Sequence, residues 1–78
     1  MSNLYRTSDF VLGSVLLAEG FRLEKLDRSN PKRVEFCFLD SDELQDTVQM
    51  FWHDELKINP RQLSLSQRTL KNYLYDSK

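Results

Sequence analysis

The sequence predicts an α+β fold: a single small domain in the order α-β-β-α-(short β)-α, an antiparallel hairpin packed by helices. Three observations carry that expectation. A nearly wholly apolar stretch at 10–18 lies between a capping cluster, Thr7-Ser8-Asp9, and a helix stop at Gly20. Two short runs, 21–26 and 33–39, flank the turn-forming segment Asp27-Arg28-Ser29-Asn30-Pro31-Lys32, the layout of a hairpin. Finally, Asn59-Pro60-Arg61-Gln62 supplies an N-cap, a proline at the first helical position and Gln at the third, ahead of a terminal amphipathic segment. The 78 residues divide into a flexible lead-in at 1–7, one domain at 8–75 and a frayed tail at 76–78.

In the first helix Val11, Val15 and Ala18 recur at helical spacing, as do Leu12 and Leu16, while Phe10 and Leu17 widen the stripe. Its only charges, Asp9 and Glu19, sit at the two ends, which places this helix at the centre of the fold. In the strand at 33–39, Val34, Phe36 and Phe38 share one face, and Cys37 lies on the other as a small semi-buried apolar residue. Pro31 cannot donate to a ladder and belongs to the loop. With Asp40 as N-cap of the second helix, Glu43 falls at the third position and completes a capping box. Leu44, Val48 and Phe51 then mark its inner face, Gln45, Asp46 and Gln49 its outer one, and His53-Asp54-Glu55 its end. Leu56-Lys57-Ile58 alternates and reads as a short third strand or a docked linker. The last helix buries Leu63, Leu70, Tyr73 and Leu74 and frays near Asp76.

The composition, 40% hydrophobic and 29% charged with two Gly and two Pro, excludes collagen-like and low-complexity classes. Cys37 is the single cysteine, so there is no internal disulfide. The longest apolar run, Val15-Leu16-Leu17-Ala18, is far too short for a membrane helix, and the first residues lack a signal-peptide layout; a cytoplasmic protein with no membrane partner is expected. One His and one Cys do not make a zinc site. Asp40-x-Asp42 begins like a calcium loop, but Leu44 and Gln45 stand where an oxygen ligand and a glycine are required. Gly13 and Gly20 are the only glycines, which excludes a glycine-rich phosphate loop. Seven acids between 35 and 55, with the Glu55-x-Lys57 spacing of some nucleases, would serve a divalent metal only if Asp42, Asp46 and Glu55 converged. The simpler reading is a solvated acidic helix face with capping acids. No catalytic residue, cofactor or metal is expected, and no enzyme.

The net charge of -1 conceals segregation: +2 over 1–34, -7 over 35–55 and +4 over 56–78. Arg61, Arg68 and Lys71 share the terminal helix, and Arg28, Lys32 and Arg33 decorate the hairpin. On one surface these six could hold phosphates, with Tyr75 stacking on a base. Alternatively, Arg61 and Arg68 neutralise Asp42, Asp46 or Glu55 within the fold or across a dimer. Trp52 follows Phe51, and two adjacent helical residues cannot both face one core, so one of them projects to the boundary along with Tyr5 or Tyr75; Trp52, Tyr73 and Tyr75 are the candidate anchors for a protein partner. A chain this short has a modest core, and a partner chain is one source of extra stability. The leading expectation is a non-enzymatic binding module acting through protein contacts, including a homo-oligomer. The alternative is a nucleic-acid-binding accessory protein using the basic hairpin and terminal helix.

Ser8-Asp9-Phe10, Ala18-Glu19-Gly20-Phe21, Pro31-Lys32-Arg33-Val34-x-Phe36-x-Phe38, Asp40-Ser41-x-Glu43-Leu44, Phe51-Trp52 and Asn59-Pro60-Arg61 together form a pattern over about 8–75. It resembles a family of small bacterial and phage proteins classed as a domain of unknown function. The resemblance implies a stand-alone α+β domain and brings no activity with it. Members of that family tend to carry Gly where this chain has Asp54 or Glu55.

Overall fold

The computed structural model describes residues 3–76. Six elements follow one another: β1 (Leu4–Thr7), α1 (Phe10–Ala18), β2 (Leu23–Asn30), β3 (Arg33–Leu39), α2 (Asp42–Trp52) and α3 (Pro60–Asp76). The strands make one antiparallel sheet in the order β1-β3-β2, with β3 central. The helices cover one face only, and the shortest dimension, 19 Å, is that of two layers.

Strand alternation decides what each face carries. On the helix-facing side Phe36 and Phe38 of β3 align with Thr7 and Tyr5 of β1 and with Leu26 and Leu23 of β2. Phe36 and Phe38 are buried with Leu12 and Leu16 of α1, Leu44 and Val48 of α2, and Leu70 of α3 in a single core. α1 is the middle helix, packed against both α2 and α3. Gly13 permits that close approach: a Cβ there would lie 3.2 Å from both Leu70 and Phe36. Ser14, also fully buried, donates its hydroxyl to the carbonyl of Phe10 at 2.8 Å. Burial likewise raises the Tyr5 hydroxyl above its ordinary pKa, with Asp40 and Asp9 adding to the effect.

The helix ends follow local chemistry. Asp9 accepts from the backbone N–H groups of Val11 and Leu12, and Asn59 from those of Arg61 and Gln62. At the far end of α1, Gly20 takes a left-handed φ of 95°, while the N–H groups of Gly20 and Phe21 close on the carbonyls of Leu17 and Leu16. The same pair of bonds ends α2: Asp54 donates to Phe51 and Glu55 to Met50, with Asp54 at φ 58°. His53 is the C-cap residue.

Several expectations are corrected. The lead-in is not loose at 4–7: Leu4, Tyr5, Arg6 and Thr7 pair with Leu39, Phe38, Cys37 and Phe36, so the third strand is N-terminal. Residues 56–58 are accordingly the docked linker and not a strand, with Leu56 and Ile58 half-buried. The loop expected at 27–32 shrinks to Pro31-Lys32, because Asp27 to Asn30 remain extended; the Asn30 side chain accepts from the N–H of Lys32 to tighten the turn. The α2 N-cap is Ser41, whose hydroxyl accepts from the N–H of Leu44; Asp40 instead accepts from the side chain of Gln45. In α3, Leu70 is buried and Leu63 and Leu74 half-buried, but Tyr73 is exposed, and Ser66 takes a buried place on the inner face. Of the tail expected at 76–78, Asp76 closes α3, and the rest lies outside the described residues.

Candidate interaction surfaces

Three surfaces carry the residues that could act on something else. The first is the outward face of α3. At about 100° per residue, Arg61, Ser64, Arg68, Lys71 and Tyr75 fall within roughly 80° of one another, opposite the buried Leu70. Ser64, Gln67, Arg68, Lys71, Asn72 and Tyr75 line a shallow polar groove of 340 Å³ along this helix. Tyr75 is 79% exposed at one end, and Leu65 is exposed beside the basic stripe. Among the described residues, none of Arg61, Arg68 and Lys71 forms an ion pair, so the intramolecular pairing with the acids of α2 expected as one reading does not occur. α1 separates the two helices.

The hairpin bases do different work. Arg28 reaches across to α3 and donates to the carbonyls of Leu74, at 2.9 Å, and Tyr73, at 3.3 Å. A cation on the last turn of a helix satisfies carbonyls that have no partner within it and complements its dipole. Arg33 donates to the hydroxyl of Ser8 at 2.9 Å, tying the hairpin to the entry of α1. Lys32 is exposed in the turn. The structure therefore brings Arg61, Arg68, Lys71 and Tyr75 together and links Arg28 to the end of the same helix. Arg33 is directed to the start of α1 instead.

The second surface surrounds the end of α2. Trp52 is 60% exposed, packed edge-to-face on Phe51 with ring centroids 5.0 Å apart. Phe51 in turn lines an apolar groove of 340 Å³ with Val11, Val15, Leu56, Ile58 and Leu63, rimmed by Asp54. Met50 is exposed on the same helix, and Asp42 and Asp46 are exposed on its outer face.

The third is the uncovered face of the sheet, which the sequence reading did not single out. Arg6 of β1 bonds to Asp27 of β2 and lies 3.7 Å from Glu35 of β3. Asp27 also accepts from the hydroxyl and the N–H of Ser29. Those two bonds from Ser29, followed by the one from Arg6, hold the Asp27 carboxyl far below the usual carboxylate range. The bond to Asp27 correspondingly raises Arg6. Cys37 is flanked in register by Arg6 and Lys25, residues with long aliphatic stems, and it is wholly buried where semi-burial was expected. Arg6, Asp27 and Glu35 were legible only as isolated charges, because their meeting depends on the β1–β3–β2 order.

Among the described residues no three His, Cys, Asp or Glu side chains gather closely enough to hold a metal ion, so Asp42, Asp46 and Glu55 do not converge. No helix among them is long and apolar enough to cross a membrane.

Fold and surfaces together define a small two-layer α+β domain with three helices on one face of an antiparallel sheet. The chain belongs to the domain family DUF5659, a domain of unknown function, which matches residues 2–76. No curated protein and no solved structure matches it.

Proposed function

We propose that this protein is a non-enzymatic binding module of the cytoplasm that acts through protein–protein contacts, self-association included. The observation that carries the reading is Trp52: the chain's one tryptophan stands 60% exposed, braced on Phe51 beside an apolar groove. A large exposed aromatic braced on a neighbouring ring gives up much apolar area when a partner covers it. The buried, unpaired Cys37 suits a reducing compartment. Sedimentation velocity of wild type and Trp52→Ala over a wide concentration range tests the reading. Wild type should show concentration-dependent mass or, with a bound partner, a discrete complex, and the variant should weaken either. A wild type that stays monomeric, with no partner recovered that depends on Trp52, would contradict it.

A second reading rests on the α3 stripe, where among the described residues Arg61, Arg68 and Lys71 find no ion-pair partner and stand beside the exposed Tyr75. A nucleic-acid accessory protein would use them for phosphate contacts, with Arg28 and Lys32 at the neighbouring hairpin. It requires salt-sensitive binding of DNA or RNA that charge reversal at Arg68 weakens for all sequences alike.

A further inference from the structure

The acidic and basic helices of one chain do not neutralise each other. α1 stands between them, and the ion pairs among the described residues lie elsewhere, on the strands and at Arg22–Glu24. Two complementary faces therefore remain on one small molecule. Their spacings match when the helices run antiparallel. With a rise of about 1.5 Å per residue, Asp46 lies ~6 Å and Trp52 ~15 Å along α2 from Asp42. Along α3 in the opposite direction, Arg68 lies ~4.5 Å, Leu65 ~9 Å and Arg61 ~15 Å from Lys71. Antiparallel docking sets Asp42 against Lys71 and Asp46 against Arg68; Trp52, about 80–120° round α2 from these acids, flanks the contact. Exposed ion pairs contribute little individually. They fix register here, while Trp52 supplies apolar area at the edge of the contact.

We propose that the occupant of these faces is a second copy of this chain, bound head to tail, with the acidic face of α2 in one copy against the basic face of α3 in the next. The inference rests on the self-association reading above and specifies its interface. Each copy presents two different surfaces, so the contact is heterologous and growth continues beyond a dimer unless it closes into a ring.

The test uses two neutralised variants, Asp42→Asn/Asp46→Asn and Arg68→Gln/Lys71→Gln, each verified as folded by circular dichroism. Sedimentation velocity is run on wild type, on each variant alone and on their equimolar mixture, at low and high salt. Wild type should assemble beyond a dimer at high concentration, more weakly as salt screens the pairs. Each variant alone should lose affinity by about tenfold or more, the equivalent of two exposed pairs. The mixture should recover association but stop at a 1:1 complex, because it contains one intact pairing and no means of extending it. A wild type that remains monomeric overturns both this interface and self-association. Variants that assemble as wild type does overturn the interface and leave self-association standing. A monomeric wild type that shifts a single-stranded oligonucleotide at low salt, lost in Arg68→Gln/Lys71→Gln, assigns the α3 face to nucleic acid and overturns the proposal.

Discussion

Asp54 holds a left-handed φ of 58° at the end of α2, where the backbone closes on Phe51 and Met50 as it does at Gly20. A side chain in that conformation costs about 1 kcal/mol, less for Asp than for most residues. Asp54→Gly should raise unfolding stability by about 0.5–1 kcal/mol, measured by chemical denaturation. Asp27 makes a second prediction at this scale. Its folded pKa is depressed below that of an unfolded aspartate, so its contribution is present in full above about pH 4 and is lost as pH falls towards the folded value. Asp27→Asn should lower stability at neutral pH and flatten the decline between about pH 4 and 2. An unchanged acid limb would show that the Ser29 and Arg6 bonds do not persist in solution. The caps at Asp9 and Asn59 were legible because one side chain and the next three residues suffice to define each. The choice between Asp40 and Ser41 was not, since both can cap and only the closing bond to Leu44 distinguishes them.

At the scale of elements, α1 is legible from its sequence, and its position follows from Gly13. Replacing that glycine by leucine forces Leu70 and Phe36 to move and should cost about 1–3 kcal/mol despite leucine's better helix propensity. Calorimetry would show a lowered melting temperature; an unchanged one would mean that α3 is free to shift outwards. Arg28 belongs here too, because its head joins β2 to the last turn of α3. Arg28→Ala should speed amide hydrogen exchange in that last turn while leaving protection around Leu12, Leu16 and Phe38 little changed. The elements that escaped the sequence are those whose partners lie far along the chain. β1 is four residues long, and its pairing with Leu39 through Phe36 is visible only once β3 exists. Asp27 to Asn30 resemble a loop in composition, yet pairing with β3 keeps them extended at the sheet's edge. Tyr73 lies at the boundary of the α3 stripe, where periodicity alone does not separate inside from out.

For the whole molecule, the charge asymmetry read from the sequence becomes a spatial fact: acids on α2, bases on α3 and the core helix between them. The basic stripe of Arg61, Arg68 and Lys71 was legible because seven- and three-residue spacings share a helix face. The diversion of Arg28 and Arg33 into bonds with α3 and Ser8 was not, because those bonds depend on tertiary contact. The proposed function turns on the exposed Trp52, and the most direct measurement uses the fact that it is the chain's one tryptophan. Its fluorescence emission is recorded from high concentration through serial dilution, at low and high salt. A module that self-associates through this residue gives a blue-shifted maximum when concentrated and a red shift on dilution or on adding salt. A maximum that stays at the wavelength of water-exposed tryptophan throughout would contradict self-association through Trp52.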